Sequence, residues 1–486
     1  MESRKFAKPA AGFALAALSI AIPVHCGTSG SEAEDAVLEE TARPNIVFLY
    51  TDDQGAWTTG HSGNRDAHTP NLDRIFREGA HLKNSFTTTP VCSPSRASLM
   101  VSRYGTELGI TDYLNHSQEP DLGLDPATVT WPEVLQASGY TTGLFGKWHL
   151  GQLDRYHPTA SGFDEFSGFR TGGQISKDPE VEIDGKVRQV AGYTPDILTD
   201  LAIDFVRRHK DQPFLANVHY WAPHANTANR TPDDDRTWLP LSDADWTRFQ
   251  ALDPIVPDRD YPNLDIPRVK RMMREYLGSI ASVDRNVGRL LDTLDELGLA
   301  SKTIVIFSSD HGYNMGHHGI WHKGNGRWIL TNNQGPRPNM FDRSLRVPAA
   351  VRWPGVIKPG TVVEQTTTNL DWYPTVLAAA GAALPQGELV RGRNILPLLK
   401  GESPPWDNDL YAEYDQHHFS VADQRAYRTP EWKLIRDFTN PGKDELYDLA
   451  NDPGEQKNLI DSRDPEVVAA RKQLEAKLLA KMEEIQ

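Results

Sequence analysis

Asn45-Ile46-Val47-Phe48-Leu49-Tyr50-Thr51-Asp52-Asp53 is the stretch on which the fold turns. Its apolar residues follow one another instead of alternating, which predicts a strand buried on both faces, as in a parallel sheet covered by helices. The run Thr303-Ile304-Val305-Ile306-Phe307 repeats the pattern and ends in Ser308-Ser309-Asp310-His311. Two core strands therefore deliver metal-type ligands at their carboxyl ends. Residues 139–145 run into Gly146-Lys147-Trp148-His149, and residues 214–220 into Trp221-Ala222-Pro223-His224. Ligands of open α/β sheets bind outside the carboxyl ends of strands, so four such ends predict one shared site. A helix is expected from Tyr276, Leu277, Ile280, Val283, Val287, Leu290, Leu291, Leu294 and Leu297, spaced at three and four residues and stopped by Gly298.

The second informative stretch is Cys92-Ser93-Pro94-Ser95-Arg96. Pro94 suits the first position of a helix that Ala97-Ser98-Leu99-Met100 can continue, which places Cys92 at a helix N-terminus, where free N–H groups favour an anion. The competing reading is a buried, inert thiol.

Length, charge and cysteine count bound the rest. A chain of 486 residues can bury a large core in more than one domain. A net charge of −15 argues against a nucleic-acid partner. Two cysteines cannot form a disulfide framework. Arg4, Lys5 and Lys8 precede an apolar run, 10–22, too short to span a membrane, so residues 1–26 read as an export signal and the mature protein as periplasmic or cell-surface. Cys26 falls where a bacterial lipoprotein would carry its lipid, and anchoring there and ordinary cleavage stay open as alternatives. Residues 27–43, acidic and without an aromatic, read as a disordered tether. Past Pro385 the texture changes to short strands, 409–414 and 426–438, and a terminal amphipathic helix, 466–484.

These motifs, in this order, resemble the type I sulfatases of the alkaline phosphatase-like superfamily. The resemblance implies a large mixed, mostly parallel sheet flanked by helices in a catalytic domain at 44–385, with a smaller C-terminal α+β subdomain at 386–486. It further implies that a formylglycine-generating enzyme converts Cys92 to Cα-formylglycine, whose hydrate attacks the sulfur of a sulfate ester and then expels sulfate through its second hydroxyl. Asp52, Asp53, Asp310, His311 and residue 92 would hold a metal. Ca²⁺ is favoured over Mg²⁺ because several protein ligands are already committed. Arg96 and His149 would stabilise and deprotonate the diol, and Lys147, Lys323 and His224 would hold the sulfate, with His224 or Lys323 protonating the leaving oxygen.

The expected substrate is a sulfate ester, as a small molecule or oligosaccharide, and a sulfated carbohydrate suits polar and aromatic pocket residues. A phosphodiester or phosphonate monoester hydrolase is the alternative, and an inactive cell-surface binding protein a third. His219, His317, His318, Trp321 and His322 flank the motifs, and about half of them are expected to be structural. Residues 324–339, with Asn325, Arg327, Trp328, Asn332 and Asn333, are longer than the family's usual connection and are assigned to substrate choice. Met100-Val101-Ser102-Arg103 and Phe145 depart from the family pattern in packing more than in chemistry.

Overall fold

The computed structural model describes residues 43–226 and 237–485, which belong to one compact unit. The export signal, nearly all of the tether and Cys26 lie outside the described residues. Ten strands form one sheet: β1 (Asn45–Thr51), β2 (Ala80–Phe86), β3 (Thr141–Lys147), β4 (Glu165–Phe169), β5 (Glu180–Ile183), β6 (Lys186–Gln189), β7 (Phe214–His219), β8 (Thr303–Ser309), β11 (Ala350–Arg352) and β12 (Thr361–Thr368). Their spatial order is β12-β2-β11-β8-β1-β7-β3-β4-β5-β6. The central run β8-β1-β7-β3-β4 is parallel, while β11 runs antiparallel to both β8 and β2. The sheet is thus mixed and mostly parallel, flanked by helices.

The reading of β1 as covered on both faces is borne out residue by residue. Ile46, Phe48 and Tyr50 pack into one cluster with Trp131 and Trp372. Val47 and Leu49 pack into the other, with Phe205, Tyr276, Leu277 and Leu290. Burying such a side chain is worth about 1.5–3 kcal/mol, so neither face of the strand tolerates solvent. The helix behind the second face is Ile266–Glu296, ten residues longer at its start than its apolar spacing suggests. Asp265 caps it by accepting from the Arg268 N–H at 3.2 Å, a start that needs no apolar periodicity. Three strand starts also shift: β3 begins at Thr141, because Gly139 sits in a turn at φ +88°, and in the C-terminal part strands begin at Leu410 instead of 409 and at Ala422 instead of 426.

Between β8 and β11 lies a two-stranded piece, β9 (Ile320–Trp321) with β10 (Arg327–Trp328). The C-terminal sheet is an antiparallel meander, β13 (Leu410–Gln416), β14 (Ala422–Arg428), β15 (Trp432–Asp437) and β16 (Glu445–Asp448). One side of it carries Leu434 and Leu446 under the terminal helix Pro465–Ile485, and the other packs on Phe86, Val91, Ile320 and Phe341. Among the described residues, no helix is long and apolar enough to cross a membrane.

Candidate active site

Strand register alone brings the acidic pairs together. Thr51 lies opposite Ser309, so Asp52 and Asp310 leave adjacent parallel strands at the same height. Gly146 lies opposite His219, which brings Lys147 to the same edge. A Cβ on Gly146, at φ +123°, would stand 2.0 Å from the His219 carbonyl oxygen, so only glycine lets the two strands end side by side. Beyond β1 the chain turns at Asp53, φ +66°, and Tyr276 holds the turn, donating to the Asp53 carbonyl at 2.6 Å and accepting from the Gly55 N–H at 3.3 Å. Left-handed backbone at a non-glycine residue costs energy and persists where surrounding structure fixes it.

Cys92 is the first residue of the helix Cys92–Val101. Pro94 therefore stands third in the helix instead of first, where the missing N–H is equally free of cost because none of the first-turn N–H groups has a helical partner. The Lys323 ammonium is 2.9 Å from Cys92 Sγ and 2.5 Å from Asp53 Oδ1. Arg96 reaches Asp310 Oδ2 at 3.1 Å, Asp52 Oδ2 at 3.4 Å and the Lys147 carbonyl at 3.1 Å. Lys147 forms an ion pair with Asp52. His224 Nε2 lies 3.9 Å from Asp53 Oδ2.

The site's electrostatics follow from full burial. Burial raises the Asp52 and Asp53 carboxyls, yet the neighbouring cations win: Lys147 first for Asp52 and Lys323 first for Asp53, so both are held well below the usual carboxylate range. Burial, with the Asp52 carboxylate next, pushes the Cys92 thiol up to about 12, so as a cysteine this side chain stays un-ionised. Lys323 is driven up despite burial, by Asp53 and Cys92. Burial and then Lys147 hold His149 well below the usual imidazole range, so it is neutral. Its Nε2 lies 3.1 Å from the Leu114 carbonyl, and its buried Nδ1 has no hydrogen-bond partner among the described residues. A neutral imidazole held this way presents a free lone pair at Nδ1.

The residue set fits a metal ion. Both nitrogens of His311 face oxygen: Nδ1 the Gly312 carbonyl at 3.1 Å, Nε2 the carboxylates of Asp53 and Asp310, each at 3.2 Å, and of Asp52 at 3.9 Å. One ring proton cannot satisfy both sides, and among the described residues Asp53 Oδ2 is buried without a hydrogen bond. Ligand atoms of Asp52, Cys92, Asp310 and His311 lie within 4.8 Å of one another, a suitable set for a cation that accepts oxygen donors.

All the site residues expected from sequence are thus brought to one place. Cys92, His149, His224 and Lys323 line a cavity of about 340 Å³, while Asp52, Asp53, Arg96, Lys147, Asp310 and His311 do not line it but lie buried in the polar network under Cys92 and Lys323, the floor of the site. Of the flanking residues, only His322 lines the cavity. His219 lies beneath Arg96, His318 stacks on Phe341 at 3.9 Å, Trp321 is in the core and His317 packs on Trp57. Of the 324–339 segment only Asn325 lines the cavity; Arg327 and Trp328 fold back in β10. Sequence reasoning missed Tyr113, Asn115, His116, Gly172 and Phe419, which line the wall together with Val91, Leu114 and Gly173. They sit in loops and a hairpin turn, where no periodicity or motif marks them.

Fold and site together define a hydrolase of the alkaline phosphatase-like class. The sulfatase family profile matches residues 44–382, and the profile of the C-terminal part of N-sulphoglucosamine sulphohydrolase matches residues 337–484. The chain belongs to the sulfatase family and is a sulfuric ester hydrolase. It is 29% identical to an N-acetylglucosamine-6-O-sulfatase of Bacteroides thetaiotaomicron, over 87% of this chain and 83% of that one. The same identity, 29%, holds for the steryl-sulfatase of Rattus norvegicus, over 87% and 86% of the two chains. A structure solved in complex with its substrate, D-glucosamine-2-N,6-O-disulfate, superimposes with a TM-score of 0.77 at 25% identity, covering 91% of this chain and 98% of that one. The phosphonate monoester hydrolase of Agrobacterium radiobacter shares the fold, with a TM-score of 0.66 at 22% identity over 91% and 96% of the chains.

Proposed function

We propose that this sulfatase removes sulfate from a sulfated carbohydrate, with residue 92 acting as formylglycine beside a bound Ca²⁺. The observation that carries the reading is the position of Cys92: a helix N-terminus at the floor of a cavity, 2.9 Å from the Lys323 ammonium and 3.5 Å from both Asp52 and His311. A thiol held un-ionised by burial is a poor nucleophile there, whereas formylglycine supplies a geminal diol, one hydroxyl for attack on sulfur and one for release of sulfate. Asp52, Asp53, Asp310, His311 and residue 92 would hold the ion, which would supply charge to the sulfate oxygens and acidity to the diol. Three hard carboxylates in a protein-made cage favour Ca²⁺ over Mg²⁺.

This chain's own groups do the remaining work. The three carboxylates of Asp52, Asp53 and Asp310 are matched by Arg96, Lys147 and Lys323, so a bound dication would add the net positive charge that an anionic ester needs. His149 Nδ1, neutral and unpartnered, accepts the proton from the hydroxyl at position 92. Arg96 fixes the carboxylates of Asp52 and Asp310, which would hold the ion. Lys323 and His224, on the cavity wall, hold the sulfate and are the groups available to protonate the departing alcohol. The sulfated-sugar relatives and the Asn115, His116, His322 and Asn325 side chains placed among the aromatic ones on the cavity wall support a carbohydrate substrate. The basic segment and apolar run at 1–26 support export, which amino-terminal sequencing of the secreted protein checks.

The test is sulfate release from defined sulfated mono- and disaccharides, alongside matched aryl sulfate and aryl phosphonate esters. Higher kcat/KM on a sulfated saccharide than on both aryl esters is expected. Preference for the phosphonate would instead assign the chain to phosphorus esters.

A further inference from the structure

The cavity's rim carries an aromatic surface that the chemistry at its floor does not use. Phe419 occupies the turn 417–421 between β13 and β14 and leaves 65% of its surface exposed. A single exposed phenyl ring is ordinary on a protein surface, and what marks this one is its place. Its ring stacks on Tyr113, with centroids 5.7 Å apart and planes at 26°, and both rings line the cavity that holds Cys92.

The pair is held from behind. Buried Asp112 accepts from the Tyr113 N–H at 2.8 Å, the His417 N–H at 3.0 Å, the His418 N–H at 3.3 Å and the Tyr414 hydroxyl at 3.1 Å. One carboxylate therefore fastens the loop carrying Tyr113 to the hairpin carrying Phe419. His418 packs on Tyr113 with centroids 4.5 Å apart and is itself fixed by Glu119 at 3.1 Å. Such bracing sets the rings before a ligand arrives and lowers the ordering cost of binding.

We propose that Phe419 and Tyr113 form a stacking platform for the sugar ring next to the one that carries the scissile sulfate. The inference rests on the carbohydrate reading above and adds the subsite. A pyranose offers an apolar C–H face and a polar hydroxyl edge. The platform meets the face, and two polar side chains beside it meet the edge: Asn115 lines the cavity, and both buried ring nitrogens of His116 lack a hydrogen-bond partner among the described residues. A steroid ring system, apolar on both faces and at its edges, would leave those groups unpaired.

The experiment uses the full chain in aldehyde-bearing form, with Phe419→Ala, Phe419→Leu and Phe419→Trp, on a singly sulfated monosaccharide and on a disaccharide containing the same sulfated ring. Removing the ring should lower kcat/KM on the disaccharide about tenfold or more, mainly through KM, in both the Ala and Leu variants. Trp should restore it, and the monosaccharide should change by less than about twofold. A disaccharide rate unaltered in the Ala and Leu variants would overturn the platform while leaving the carbohydrate reading intact. Equal losses on both sugars would also overturn it, reducing Phe419 to a support of the cavity. Wild-type enzyme that turns over aryl sulfates but neither saccharide would defeat the carbohydrate reading itself, and the subsite with it.

Discussion

At the floor of the cavity Asp52, Lys147 and Asp310 have 0% of their surface exposed and each is fixed by an opposite charge, whereas at the rim Phe419 keeps 65% exposed and is fixed by stacking. Buried charge is expensive, so every floor residue depends on its partners, and taking one away strands another without solvent. Rim residues carry no such debt. On the function proposed above, the floor decides what reaction occurs and the rim which molecule undergoes it, and substitutions should separate the two by size and by kind of effect.

The largest effect belongs to residue 92, the proposed nucleophile. Cys92→Ala should lower kcat by a factor on the order of 10⁴ or more with little change in thermal stability. Cys92→Ser keeps one hydroxyl and lacks the second, so it should accumulate a sulfate group on the introduced side chain, read by peptide mass. Sustained multiple turnover by the Ala variant would remove the nucleophile from this position. Asp310→Ala should lose metal and turnover together and destabilise the protein by about 3 kcal/mol or more, because Arg96 is left buried without its 3.1 Å partner. Metal analysis and thermal denaturation check this, and after chelation Ca²⁺ should restore wild-type activity at least as well as Mg²⁺.

An intermediate effect lies where floor meets wall. A Cβ on Gly172 would stand 2.4 Å from the His149 ring, so Gly172→Ala should displace this proposed base and cost about tenfold to a hundredfold in kcat while metal content stays at wild-type level. Unchanged kcat would show that His149 need not sit where Gly172 allows it. The smallest effect is on stability against pH. Burial, the leading cause in each case, lowers His81 to about 4, His317 to about 3 and His318 to about 4. The unfolded chain binds these protons below about pH 6.5 and the folded one does not, so stability should fall as pH drops from about 6.5 toward 4. Asp284, raised to about 6, and Glu455, raised to about 7, work in the opposite direction and blunt the slope. A melting temperature that rises between pH 6.5 and 5 would contradict the balance.

The floor was legible in sequence because its residues sit at the ends of strands whose burial is written as continuous apolar runs, and because register in a parallel sheet leaves little freedom. Thr51 opposite Ser309 follows once β1 and β8 are neighbours. The helix at Cys92 was legible in place but not in phase, since any position in the first turn tolerates proline. The rim was not legible: Tyr113 and Phe419 are about three hundred residues apart, and their meeting depends on Asp112 bonding a hairpin of another sheet. Residues 324–339 misled for a related reason. Their polar and aromatic composition suits a binding loop, yet Trp328 turns back to pack with Tyr261 and Arg337, and Asn325 alone of that stretch lines the cavity.

The central claim is that residue 92 acts as an aldehyde at the floor of this cavity. Peptide mass spectrometry of active protein should show the segment containing Cys92 lighter by about 18 Da and reactive toward aldehyde reagents. Across preparations with different degrees of conversion, sulfate release should rise in proportion to the aldehyde fraction. Full activity in protein that carries only the unmodified thiol would contradict the account.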